Sequence, residues 1–196
     1  MLTKFKDKFD KVLILFAKPL IELGVPPNAV TILGLSTAWI YLIVALTKPH
    51  LFDFALPVLF ILSALMDGID GVIARVEKKE SRRGAFLDSV IDRVVDSIYV
   101  ISLYFLEILT VEESFILLVG NLMISYTRAK AESLDLSLVA IGFAERAERT
   151  IITLVILIAY VLKLPSFILL SLKMVYIAAV CITFLYRVYY AYAHLR

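Results

Sequence analysis

The chain is poor in the residues that staple small proteins together. It has one cysteine, Cys181, set deep in an apolar run, so no disulfide can form within the chain and the thiol reads as buried and inert. Its two histidines, His50 in a predicted turn and His194 near the C-terminus, have no partners at metal-ligand spacing. Charge of one sign is scarce too. A net charge of only +2 excludes the basic footprint that nucleic acid requires. No linker, repeat or second domain interrupts the sequence, so 1–196 reads as a single domain. Lys4, Lys6, Lys8 and Lys11 suggest a leader, but acidic residues break the run and no small-residue cleavage site follows, so a signal peptide is not expected.

What the chain has in excess is apolar length. It is 61% hydrophobic with a mean hydropathy of +0.91, whereas a soluble domain sits nearer half apolar. The excess falls in long blocks, which favours lipid-facing helices over a soluble helical bundle. At about 20 residues per crossing there is room for roughly six helices. The fold class expected is therefore all-α, an integral membrane bundle of six transmembrane helices. Residues 1–20 alternate Lys and Asp with Phe, Leu and Val at helical spacing, the pattern of an amphipathic helix lying in the membrane interface. The segment Gly24-Val-Pro-Pro breaks it, and Asn28 is placed to cap the next helix. Spans are predicted at about 28–47, 52–75, 84–109, 113–132, 145–162 and 166–193. A turn at Lys48-Pro49-His50 closes the first, and Pro165 opens the last.

Basic residues fall mostly on one side. The N-terminal helix, the loop 75–83, the region 128–149 and the C-terminal end carry nearly all of them, while Lys48, Lys163 and Lys173 lie on the other side. By the positive-inside tendency both termini and that loop face the cytoplasm, which an even number of spans satisfies. Lys173 reads as a snorkelling lysine, Asp53 as a cap on the outer side, and Tyr186, Tyr189, Tyr190 and Tyr192 as an interfacial belt.

The acidic residues are harder to absorb. The second span is apolar until Asp67 and Asp70, and the third opens with Asp88, Asp92 and Asp96. At 100° per residue Asp67 and Asp70 stand about 60° apart, and Asp88 and Asp92 about 40° apart. Each pair shares a face, and the short loop between the two helices makes them antiparallel neighbours. A carboxylate at mid-bilayer costs roughly 2.5–3.5 kcal/mol, and several together repel one another. Arg75 and Arg93 offset part of that, and divalent metals offset it better, since hard cations take several carboxylate oxygens. Asp96 alone is as readily a cap or a salt-bridge partner. Gly71 and Ala74, on the same face as Asp67 and Asp70, let a ligand or a neighbouring backbone come close.

Written out, the stretch is Asp67-x-x-Asp70-Gly71-x-x-Ala74-Arg75, eight residues, then Gly84-x-x-x-Asp88-x-x-x-Asp92. It resembles, at every fixed position, the motif of the CDP-alcohol phosphotransferase family. Pro27-Asn28-x-x-Thr31 and the order of apolar spans are similar to that family as well, so the resemblance covers nearly the whole chain. The resemblance implies a transferase that joins a CDP-activated lipid to a polar alcohol and releases CMP. It implies two divalent ions, Mg or Mn, held by Asp67, Asp70, Asp88 and Asp92, with Asp92 also the carboxylate that takes the proton of the attacking hydroxyl. It implies that Asp67, Asp70, Gly71, Ala74, Arg75 and Gly84 receive the CDP moiety, on the cytoplasmic side of the cell membrane, in a homodimer.

A second polar group lies further on, in Ser125-Tyr126-Thr127-Arg128-Ala129-Lys130-Ala131-Glu132 and Glu145-Arg146-Ala147-Glu148-Arg149, with Arg187 in the last span. The basic members are individually consistent with positive-inside anchors. Their accompanying glutamates suggest an organised site instead, and Arg and Lys suit an acceptor that itself carries phosphate. The phrases SYTRAKAE and GFAERAER are similar to the phosphatidylinositol-phosphate and archaetidylinositol-phosphate synthase branch, which implies inositol phosphate as acceptor. Ser125, Arg128, Lys130, Arg146, Arg149 and Arg187 are then the acceptor-phosphate residues, and glycerol 3-phosphate is the second choice of acceptor. A reading from another class is an ion- or proton-coupled transporter, which membrane aspartates also suit. It lacks the inverted repeat and broken helices that would support it.

Overall fold

The computed structural model describes residues 6–47 and 53–195, with side chains in the first helix from residue 13 onward. The Lys48-Pro49-His50 turn, Lys4 and Arg196 lie outside the described residues. The described residues form seven helices: α1 (Lys6–Glu22), α2 (Pro27–Thr47), α3 (Ala55–Val76), α4 (Arg82–Phe105), α5 (Val111–Glu132), α6 (Arg146–Val161) and α7 (Ser166–His194). The chain separates into two compact units, Leu2–Ser102 and Leu103–Arg196, with α4 running from the first into the second.

Among the described residues, three helices are long and apolar enough to cross a membrane: α2, α3 and α7, with hydropathies of 2.1, 1.9 and 2.3. Acidic and basic residues within α4 and α5, and the 16-residue length of α6, set those apart from the other three. At 1.5 Å per residue α6 is about 24 Å long, short of a hydrocarbon core of about 30 Å.

Helix ends depart from expectation where the backbone finds a local partner. α1 continues past Pro19 to Glu22 and stops at Gly24, whose φ of +70° allows the closing bonds Gly24 N–H to Ile21 and Val25 N–H to Leu20. α2 starts at Pro27, so Asn28 lies inside the first turn rather than capping it; a proline fits there because its missing N–H would have no helical acceptor. At α3 the N-cap is Phe54 with no side-chain cap, so Asp53 does not cap it. α4 begins two residues early because Ser81 Oγ accepts from Gly84 N–H at 3.0 Å, an N-cap bond. It ends at Phe105 rather than 109: Glu107 takes φ +60°, and Ile108 and Leu109 N–H both return to the Leu103 carbonyl.

In the first unit, α3 is the centre. Ala17 of α1 is wholly buried with Val30, Ile69, Val72 and Ile73, and Leu13 and Leu20 close around them. Gly34 lets α2 lie against α3: a Cβ there would stand 3.1 Å from Met66 Cβ, and Ser63 Oγ donates to the Gly34 carbonyl at 2.9 Å. Tyr41, Phe60 and Tyr99 tie α2, α3 and α4 together with ring centroids 4.1–5.9 Å apart.

In the second unit, α5 and α6 pack on α7. Gly120 makes room for Val180 Cγ1, and Asn121 Nδ2 donates to the Tyr176 hydroxyl at 3.1 Å. Thr110 and Glu113 form a capping box at the start of α5. Glu113 also takes Lys173 Nζ at 2.9 Å, both side chains about 15% exposed. Lys173 is thus an interhelical ion pair and not a snorkelling lysine. Large apolar side chains such as Leu15, Phe115, Val175 and Tyr192 point outward from both units, between 59% and 86% exposed, the arrangement lipid favours over water.

Candidate active site

The loop between α3 and α4 sets the site. Lys78, at φ +54°, and the bonds from Lys78 N–H to Arg75 and Lys79 N–H to Ala74 end α3 sharply. Ser81 then starts α4, and the carboxylates of the two helices meet. One oxygen each from Asp67, Asp88 and Asp92 lies within 4.8 Å of the other two. The Asp92 side chain is 13% exposed. Two like charges 5 Å apart repel by roughly 3 kcal/mol at an effective dielectric of 20, so three gathered carboxylates call for a cation. Arg93 is a partial answer: its NH1 donates to the Ser89 carbonyl at 2.6 Å and reaches Asp92 Oδ2 only at 3.4 Å. The donor set is all hard oxygen, with a spacing that one divalent ion can span, and it fits such an ion.

Asp70 is placed differently from its three companions. It is 5% exposed, and its Oδ2 accepts the Thr31 hydroxyl of α2 at 2.5 Å. The 60° between Asp67 and Asp70 turns one carboxylate to α4 and the other to α2. Asp96 lies one turn beyond Asp92, outside the three-carboxylate group. Beside Gly71 a Cβ would meet only Arg75 NH1, at 3.4 Å. That glycine does not serve tight helix packing; it leaves space along a face that Arg75 shares. Gly84 is more closely held, with Ser81 Oγ at 3.1 Å and Asn28 Oδ1 at 3.3 Å from a Cβ there.

The second unit gathers the basic residues. Arg187 is 3% exposed; its Nε donates to the Ile141 carbonyl at 2.7 Å, NH1 to the Ile124 carbonyl at 3.0 Å, and NH2 reaches Glu145 at 3.4 Å. Three of its five N–H donors are so used. Arg149, 4% exposed, donates to the Ala144 carbonyl at 3.0 Å. Arg128 binds Glu132 at 2.8 Å. Arg128, Arg149, Glu132 and Glu145 all lie close enough for their charges to act on Arg187. Arg146 opens α6 and is half-buried, as is Ser125 in α5, while Lys130 is exposed.

Sequence reasoning missed Thr31 as the partner of Asp70, Glu113 as the partner of Lys173, and Thr183, which is wholly buried and accepts from Phe143 N–H at 3.1 Å and Ala144 N–H at 2.9 Å. Only Gly142, a lone glycine ahead of the Glu145-Arg146 segment, hinted that a loop docks there.

Gathered carboxylates on two helices of an apolar, outward-greasy helical protein point to a membrane protein that uses a divalent cation. The family can be stated more closely. Residues 25–186 match the CDP-alcohol phosphatidyltransferase family, and the chain belongs to it. It is 33% identical over 97% of its length, and 96% of the relative's, to the archaetidylinositol phosphate synthase of Pyrococcus horikoshii. Its fold is similar to that of Mycobacterium tuberculosis phosphatidylinositol phosphate synthase, solved with CDP-DAG bound, at a TM-score of 0.78 and 29% identity, covering 93% of this chain and 94% of that one. The same mycobacterial enzyme, solved with manganese and citrate, matches at a TM-score of 0.79 and 28% identity, covering 92% of this chain and 88% of that one. The protein is accordingly an integral membrane transferase that works with a divalent metal, and the transporter reading falls away.

Proposed function

We propose that the protein transfers the phosphatidyl-type group of a CDP-activated lipid, CDP-diacylglycerol or CDP-archaeol, to inositol phosphate and releases CMP. The observation that carries the reading is the meeting of Asp67, Asp88 and Asp92 within 4.8 Å, on the residues of the family motif. The inositol phosphate acceptor is supported by the names of the relatives and by the gathering of Arg128 and Arg149 around Arg187.

In this reading Asp67, Asp70, Asp88 and Asp92 would hold two divalent ions, Mg or Mn, which would supply positive charge to the pyrophosphate. Asp92 receives the proton of the attacking hydroxyl as its oxygen bonds to the lipid-bearing phosphorus and the bond to CMP breaks. Thr31 orients Asp70 through its short hydrogen bond. The open face beside Gly71 and Ala74 takes the cytidine nucleotide, with Arg75 toward its phosphates and Gly84 nearby. Arg128, Lys130, Arg146, Arg149 and Arg187, with Ser125, bind the acceptor's phosphate; Arg187 has two N–H donors left for it.

The same reading takes all of α2 to α7 as spans, six in number, within one domain, with local thinning of the bilayer making up the shortfall at α6. At 24 and 22 residues, α4 and α5 are each long enough for about 30 Å of hydrocarbon. α1 lies in the interface, its exposed Ile14, Leu15 and Phe16 entering lipid. The distribution of Lys and Arg puts the active site and both termini on the cytoplasmic side, and the family resemblance supports a homodimer.

The test is CMP release by the purified protein in detergent with magnesium and a CDP-lipid. Inositol phosphate, glycerol 3-phosphate, inositol and serine are offered separately, with Asp92→Asn as control. Release with inositol phosphate alone, abolished in the control, is the expected result. Release with glycerol 3-phosphate instead would move the acceptor and keep the chemistry, and release undiminished in Asp92→Asn would remove that residue from its role.

A further inference from the structure

The segment ahead of α6 has no regular structure, yet α7 holds it closely. Ala140 and Gly142 take φ of +61° and +113°, and between them the Ile141 carbonyl accepts from Arg187 Nε. One turn back along α7, the Thr183 hydroxyl oxygen accepts two consecutive amides, Phe143 and Ala144. Neither amide has a helical acceptor, since α6 starts only at Arg146. Gly142 is what lets the backbone lie so near: a Cβ there would stand 2.5 Å from Thr183 Cγ2. Ala144 is in turn fixed from its other end, its carbonyl accepting from Arg149 NH1 at 3.0 Å. One peptide stretch thus links the Thr183 oxygen to the Arg149 guanidinium, and Glu145, which follows it, contacts Arg187.

We infer that Thr183 is a positioning residue for the acceptor: by holding the amides of Phe143 and Ala144 it sets where Arg146 and Arg149 stand relative to Arg187. The inference rests on reading these cations as the acceptor-phosphate site. Guanidinium groups that grip one phosphate must hold their geometry to about 0.5 Å, and a displacement of about 1 Å can cost a hundred-fold in rate. Valine at 183 keeps nearly the same volume but offers no oxygen, so the buried Ala144 amide and the part-buried Phe143 amide lose their acceptor and the stretch shifts. Serine keeps the oxygen.

The experiment compares Thr183→Val and Thr183→Ser in the full chain, reading KM for the acceptor, KM for the CDP-lipid and kcat, with amide exchange over 141–145. Thr183→Val is expected to raise the acceptor KM by about ten-fold or more, to leave the CDP-lipid KM within about two-fold, and to speed exchange at Phe143 and Ala144; Thr183→Ser recovers most of the acceptor KM. An unchanged acceptor KM with faster exchange would overturn the inference, and so would an equal rise in both KM values. If Thr183→Val does not fold, Gly142→Ala displaces the same stretch and is held to the same split. Should the wild type use glycerol 3-phosphate rather than inositol phosphate, the proposed acceptor fails. The same split, read with glycerol 3-phosphate, then decides on Thr183.

Discussion

The main charged clusters of the two compact units are built in opposite ways. In Leu2–Ser102, like charges are brought together: three carboxylates converge within 4.8 Å and a fourth is turned aside to a hydroxyl. In Leu103–Arg196, opposite charges are matched: Lys173 with Glu113, Arg187 with Glu145, Arg128 with Glu132. Matched pairs can hold a helical protein together without any ligand. Gathered like charges work against the fold to the extent that their neighbours leave them uncompensated, so they mark where a cation adds binding free energy. The difference sets a cluster suited to a cation apart from pairs that balance one another within the fold.

The sharpest way to break that contrast is Asp88→Asn. It relieves repulsion in the first unit, so the variant should be at least as stable as the wild type without metal, while divalent-ion affinity and CMP release fall by about a hundred-fold or more. Calorimetric titration of manganese and thermal unfolding with and without the ion test both halves. A variant that loses stability without metal would mean that the carboxylates are structural partners of one another's surroundings.

A smaller effect comes from two glycines that look alike in the sequence. Gly120→Ala drives a methyl into Val180 in the second unit and should cost roughly 1–3 kcal/mol by overpacking, several degrees in Tm, with little change in KM. Gly71→Ala meets only Arg75 NH1, so Tm should hold while the CDP-lipid KM rises several-fold. If the two swap signatures, Gly71 serves packing after all.

The smallest expected change is Glu132→Gln. The Arg128–Glu132 pair is 44% exposed on both sides, where such pairs are worth about 0.3–0.5 kcal/mol, so Tm should move by less than about 2 °C. Freeing Arg128 of its partner should lower the acceptor KM slightly, which steady-state kinetics at varied inositol phosphate would detect.

These contrasts were unevenly visible beforehand. The α7 bounds, 166–194 against an expected 166–193, were legible because Pro165 and the end of the apolar run are local signals. The end of α4 was not, because Leu106, Ile108 and Leu109 continue the apolar pattern while the backbone has already turned at Glu107. Asp67, Asp88 and Asp92 could be assembled from helical phase and a short loop alone. The placement of Asp70 depended on Thr31, 39 residues away, and Lys173 on Glu113, 60 residues away. Such pairings are set by which helix faces which, a fact that no periodicity within one helix contains. Thr183 escaped for the same reason: a lone threonine in a span signals nothing until a loop 40 residues earlier folds onto it.

The link between α3 and α4 has one more consequence. It runs from Glu77 to Ser81, fixed at one end by Lys78 in a left-handed turn and at the other by the Ser81 cap. A helix turns 100° with each residue, so this link works as a gear with one tooth setting. Adding or removing a single residue would rotate Asp88 and Asp92 together by more than a quarter turn and point them away from Asp67. Every side chain of the site would survive such a change, and the site would be gone.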